Sequence, residues 1–205
     1  MERLICVLVG YVFGLIQTGY IYGKKNGVDL RKKGSGNAGT TNALRTMGWK
    51  AGAVTLLGDC FKCVAAVVVV HLIYGKTHTD MMPLLSMYAG MGAVLGHNYP
   101  FYLKFKGGKG IAATAGLIIS TTNIWIVLIC LAAFIAIVAA TRYVSLGSMT
   151  VVTIYLISVI VYGQHGGFGV ENVSYLHEMY GVAAFLMILA FWRHRANIKR
   201  LLGGT

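Results

Sequence analysis

Apolar runs alternate with short polar, glycine-rich segments along the whole chain. The runs cover 4–22, 51–74, 81–95, 111–140, 144–162 and 180–192. About 20 consecutive apolar residues cross a hydrocarbon layer of roughly 30 Å, so most of these runs read as membrane-spanning helices. The run at 111–140 is too long for one comfortable crossing, since about 30 helical residues extend about 45 Å. Its middle holds Ser120, Thr121, Thr122 and Asn123, short polar side chains suited to a turn and a helix cap. The pattern predicts an all-α, polytopic transmembrane helix bundle of about seven helices, some of them short. It forms a single integral membrane domain over 1–205.

Charge decides how the 111–140 run divides. Arg3 is offset by Glu2, whereas Lys24, Lys25, Arg31, Lys32 and Lys33 follow the first run. Lys and Arg accumulate on the cytoplasmic side of membrane proteins, so the N-terminus is expected outside. Splitting 111–140 in two then puts Arg45, Lys50, Lys104, Lys106, Lys109, Arg142, Arg193, Arg195, Lys199 and Arg200 inside as well. Only Arg3 and Lys76 stay outside, and Lys62 lies within a helix. A single helix would carry Arg142 and the C-terminal basic group to the outer face. The split, with an inside C-terminus, is therefore the expectation, its short helices sheltered by neighbours.

Composition agrees with this class. Apolar residues make up 57% and charged residues 12%, and the mean hydropathy is +0.68. The net charge of +12 fits the same asymmetry and contact with anionic membrane lipids. No polar domain is left over for nucleic acid. Cys6, Cys60, Cys63 and Cys130 all lie in apolar runs, where free buried thiols are expected rather than redox or metal chemistry. The N-terminal run lacks a basic leader and a small-x-small cleavage site, so it reads as a retained helix. Glycine is abundant, at 27 residues. Gly10 with Gly14, and Gly19 with Gly23, have the spacing that lets membrane helices approach closely.

Other glycines sit in the inside segments beside phosphate-binding chemistry. At 34–45 the order is Gly34, Ser35, Gly36, Asn37, Ala38, Gly39, Thr40, Thr41, Asn42, Ala43, Leu44, Arg45. Glycines allow backbone N–H groups to converge on an anion, and an arginine fork suits a phosphate. The alternative is a polar loop with helix caps. At 96–110, His97 and Pro100 precede Lys106, Gly107, Gly108, Lys109 and Gly110. This places glycines and a lysine before a helix start, where the helix dipole favours an anion; lysines snorkelling to headgroups are the alternative. The spacing is not that of a Walker A loop. Arg193, His194, Arg195, Asn197, Lys199 and Arg200 read alone as a basic cap on the last helix. Arg142 and Ser145 stand at the mouth of another. Together these segments suit a site that holds more than one phosphate.

The three segments at 35–45, 96–110 and 193–200, in this order, resemble the motifs of the bacterial acyl-phosphate:glycerol-3-phosphate acyltransferases. The likeness covers nearly the whole chain, including Asp59 and Lys62. It implies transfer of a fatty acyl group from acyl phosphate to the 1-hydroxyl of glycerol 3-phosphate, giving lysophosphatidic acid and phosphate. It further implies a multi-pass protein of the bacterial cytoplasmic membrane, with its site facing the cytoplasm and no cofactor or metal. Ser35, Lys109 and His97 are then the expected catalytic groups. Gly34, Gly36, Asn37, Gly39, Thr41, Asn42, Arg45, Lys106, Gly107, Gly108, Arg142, Ser145, Arg193, His194 and Asn197 are the expected substrate ligands. His97 either orients substrate, accepts a proton or fixes a helix end. Asp59 and Lys62 are either a structural pair or part of the site.

Two other activities are set against this. Acyl-CoA-dependent glycerol-phosphate acyltransferases use a His-x4-Asp pair, and no histidine here has an Asp five positions on. His177-Glu178 begins a zinc-hydrolase pattern, but Gly181 stands where its second histidine belongs. A membrane anion or phosphate transporter is the rival from a different class. Its weakness is that the basic residues cluster on one face.

Overall fold

The computed structural model describes residues 1–203. Among them are ten α-helices and two short 3-10 turns, with no strand. Their contacts fall into two compact units, 1–120 and 121–205.

In the first unit, the run at 4–22 is broken rather than continuous. α1 (Glu2–Gly14) stops and α2 (Thr18–Lys25) begins after three intervening residues. The cause is Gln17, a fully buried amide among apolar neighbours. Its Nε2 donates to the carbonyls of Gly14 and His97 at 3.2 and 3.0 Å. A buried amide N–H needs acceptors, and the Gly14 carbonyl at the break is one of them. A 3-10 turn over Leu30–Lys32 leads to α3 (Thr40–Met47), which begins and ends at glycines. α4 (Trp49–Tyr74) runs 26 residues. α5 (Met82–Asn98) extends past the apolar run at 81–95, so that His97 lies in its last turn. α1 packs along α5 and also touches α4. α6 (Ile111–Thr121) follows the Gly107–Gly110 segment, and its Gly116 fits against the Cys60 carbonyl of α4.

The second unit begins with the break expected in 111–140. Asn123 caps α7 (Ile124–Thr141) by accepting the Ile126 N–H at 3.0 Å, a bond worth about 1 kcal/mol. α8 (Val144–Gln164) packs on α7, with Gly147 beside Phe134 and Val138. α9 (Val173–Arg193) starts about two turns before the apolar run at 180–192, capped by Asn172. Its first turns carry His177 and Glu178, so the segment between the apolar runs at 144–162 and 180–192 is partly helical. α10 (Arg195–Leu202) follows a one-residue break at His194.

Each apolar run carries a helix. Helix number exceeds the expected count because the first run breaks and two polar segments are themselves helical. Among the described residues, five stretches are long and apolar enough to cross a membrane, Glu2–Lys25 counting as one, and Ile111–Thr121 is shorter. The polytopic all-α architecture stands.

Candidate active site

The 34–45 segment is organised around one side chain. Asn42 is almost fully buried, and its Nδ2 lies within 3.0 Å of the carbonyls of Leu30, Lys33 and Asn37. Its Oδ1 accepts the Ser35 N–H at 2.9 Å. Gly34, at φ +59°, passes so close to this carboxamide that no side chain fits there. Asn37 accepts the Gly39 N–H at 2.9 Å. Asn42 and Asn37 thus shape the loop, while Ser35 and Arg45 remain exposed. Thr40 Oγ1 is buried at the start of α3 with no partner. Thr41 is exposed.

Asp29, ahead of this segment, is paired with Arg31. Arg31 Nε and Nη2 donate to its two oxygens at 3.0 and 2.9 Å. These side-chain bonds hold its carboxyl below the usual range, which makes it a poor proton acceptor.

The 96–110 segment closes over the end of α5. The Gly108 N–H donates to the His97 carbonyl and the Gly107 N–H to the Asn98 carbonyl, at 3.1 and 3.2 Å. A methyl group on Gly108 would fall on His97 Nε2, so the loop can lie against the edge of the imidazole only with glycine there. Two successive non-glycine residues, Lys104 and Phe105, take positive φ angles of 54° and 59°. Such conformations cost roughly 1–3 kcal/mol each and cluster at functional sites. Gly107 and Gly108 are buried, Lys109 is half-buried and Lys106 is exposed. Asn98 is fully buried, and neither atom of its amide has a partner.

His97 belongs to a buried charged cluster. Lys62 Nζ lies 2.9 Å from Asp59 Oδ1 and 2.8 Å from His97 Nδ1. It also donates to the carbonyls of Ile16 and Gly14, at 2.6 and 3.2 Å. Thr18 Oγ1 donates to Asp59 Oδ1 at 3.1 Å. Asp59, Lys62 and His97 are each no more than 4% exposed.

In the second unit, His194 is buried and its Nδ1 stands 2.7 Å from the Ala190 carbonyl. A carbonyl only accepts, so Nδ1 carries a proton, and in the neutral ring Nε2 is the accepting atom. The Asn197 N–H donates to the His194 carbonyl at 2.7 Å, which holds both residues in one turn. Arg193 and Ser145 are partly buried. Arg142 is exposed, at φ 64° where α7 ends.

The family model described as glycerol-3-phosphate acyltransferase matches residues 4–204. This chain belongs to the glycerol-3-phosphate acyltransferase family. A relative of that name from Clostridioides difficile (strain 630) is 43% identical, covering 98% of this chain and 93% of the relative. One from Bacillus subtilis (strain 168) is 37% identical, with coverage of 97% and 93%. The chain also resembles the crystal structure of PlsY, an integral membrane glycerol 3-phosphate acyltransferase, in its glycerol 3-phosphate form. The TM-score is 0.83 at 31% identity, covering all of this chain and 94% of that one. The lysophosphatidic acid form of the same enzyme gives 0.82 at 30%.

Family membership decides between enzyme and anion carrier in favour of the acyltransferase. Within the first unit of this acyltransferase, the structure brings His97 and Gly108 together and joins Ser35, Asn37 and Gly34 through Asn42. Sequence reasoning missed Gln17, Thr18 and Asn98. Gln17 had a signal, being a lone amide inside an apolar run. Asn98 had none beyond its place beside His97.

Proposed function

We propose that this acyltransferase moves a fatty acyl group from acyl phosphate to the 1-hydroxyl of sn-glycerol 3-phosphate, an early step of phospholipid synthesis. The observation that carries this reading is the full-length family match together with intact basic and glycine-rich segments at 34–45, 96–110 and 193–200. The hydroxyl oxygen attacks the acyl carbon, the bond from that carbon to the phosphate oxygen breaks, and inorganic phosphate leaves. Acyl phosphate is a mixed anhydride with a good leaving group. The protein's task is therefore chiefly positioning and charge stabilisation.

Arg45, Lys106 and Lys109 supply positive charge for two phosphates of about −1.5 to −2 each. Ser35, the backbone of 34–41, Gly107, Gly108, Arg142, Ser145, Arg193, His194 and Asn197 complete the substrate contacts in this reading. With Asp29 held by Arg31 and Asp59 by Lys62, the hydroxyl proton passes to an oxygen of a substrate phosphate. The soluble substrate arrives from the cytoplasmic side, and the acyl chain stays in the bilayer of the bacterial cytoplasmic membrane.

Purified protein in detergent is expected to consume acyl phosphate with glycerol 3-phosphate, releasing lysophosphatidic acid and phosphate, and to leave acyl-CoA unused. Equal rates with the two donors would remove the donor assignment. Topology has its own check, in a variant lacking the four native cysteines. Asn123→Cys and Gln164→Cys are expected to react with an impermeant thiol reagent from outside. Asn37→Cys, Lys104→Cys and Gly203→Cys should react only after the membrane is permeabilised. Labelling at 203 from outside would reverse the C-terminal half and separate its basic segment from the others.

A further inference from the structure

Lys62 has more neighbours than an isolated ion pair needs. Its ammonium has three hydrogens and faces Asp59 Oδ1, the Ile16 and Gly14 carbonyls and His97 Nδ1 at 2.6–3.2 Å. Two of these partners are carbonyls freed where α1 breaks, and a cation suits the C-terminal end of a helix. The fourth partner is a ring nitrogen that either donates or accepts, and its surroundings decide which. A proton on His97 Nδ1 would point at the ammonium. Its other nearby acceptor, Asp59 Oδ1, lies 3.6 Å away, beyond hydrogen-bonding distance. Nδ1 can therefore only accept.

We propose that Lys62, held by Asp59 and by the broken end of α1, fixes His97 as the neutral tautomer with its proton on Nε2. Lys62 and Asp59 are then positioning residues for the acyl transfer proposed above, acting through His97. Nε2 is the ring atom on which Gly108 lies, so the proton is presented on the side of the 107–110 loop. His97 is then a hydrogen-bond donor at Nε2, toward that loop, and not a general base at Nδ1. His194, with its proton on Nδ1, has the opposite tautomer. Gln17 reinforces the arrangement from the backbone side, since its Nε2 donates to the His97 carbonyl at 3.0 Å.

The tautomer can be read without any substrate. In protein labelled with 15N-histidine, nitrogen chemical shifts distinguish a protonated from an unprotonated ring nitrogen, and the His97 signals are assigned by their loss in His97→Gln. The expected result near neutral pH is a protonated Nε2 and an unprotonated Nδ1. A protonated Nδ1 overturns the proposal, whatever the activity. Lys62→Met alone leaves Asp59 buried and unpaired, which by itself threatens the fold. The test variant is therefore Asp59→Leu/Lys62→Met, which removes both charges. In it the His97 signals should shift to a mixture of tautomers, with kcat down by about tenfold and KM for glycerol 3-phosphate nearly unchanged. A folded double variant that keeps the wild-type signals and kcat would show that the pair is structural only. The spectrum tests the tautomer and wild-type turnover of acyl phosphate tests the proposed function, so either can fail alone.

Discussion

Lys109→Ala and Arg45→Ala should each lower acyl transfer by about 10²–10³-fold while leaving the fold intact, the range associated with losing one key electrostatic group. Lys109 is half-buried, two residues before α6, and Gly110 after it takes φ +83° to turn the chain into the helix. It therefore precedes a helix N-terminus, where backbone N–H groups already favour an anion. Arg45, in the last turn of α3, is exposed, and no fold-stabilising packing is lost with its guanidinium. Rates measured across glycerol 3-phosphate concentrations, beside melting curves for each variant, check both parts. Near-normal turnover in Lys109→Ala would make it a lysine that only reaches for headgroups. A large loss of melting temperature would make it structural. Lys109→Arg should recover part of the loss, since charge remains but a planar fork replaces a compact ammonium.

The membrane class and most helices were legible because bilayer thickness imposes a length on every apolar run, and hydropathy reports it directly. The division of 111–140 was legible for another reason. Asn123 is a good capping residue, and the positive-inside count required a crossing there. The break at Leu15–Gln17 was hidden, because its cause is a set of bonds from Gln17 and Lys62 to distant carbonyls. Residues 80 positions apart meet there, and no local pattern encodes such a meeting. The role of Asn42 was hidden in the same way. Its side chain looks like a substrate ligand in a glycine-rich string, whereas its buried carboxamide gathers the carbonyls of the loop. What reads as chemistry at 34–45 is partly the scaffold that lets Ser35 and Arg45 be exposed. Asp59 and Lys62 were ambiguous in sequence. Their geometry makes them structural toward α1 and chemical toward His97 through one ammonium.

Gly10→Val and Gly92→Val should cost more than any surface change, taking away the folded protein itself. A side chain built at Gly10 would run into the Ala89 carbonyl, and one at Gly92 into the Val7 carbonyl. Gly14 and Gly96 meet Ala93 and Tyr11 in the same way. α1 and α5 therefore approach backbone to backbone at these four glycines, as small residues permit between membrane helices. Backbone cannot rotate aside as a side chain does, so a valine must push the helices apart. Overpacking commonly costs about 1–3 kcal/mol, and more where neighbours cannot yield. The separation would also stretch the bonds from Gln17 to His97 and from Lys62 to Gly14, so activity should fall before the protein melts. Gly181→Ala is the matched control, because nothing lies within 4 Å of its added carbon and alanine favours the helix. Melting curves in detergent should show Gly10→Val and Gly92→Val strongly destabilised or not recoverable as folded protein, and Gly181→Ala unchanged or slightly raised. An unchanged melting temperature in Gly10→Val would mean that α1 does not lie on α5 at backbone distance, and the cluster around His97 would lose its frame.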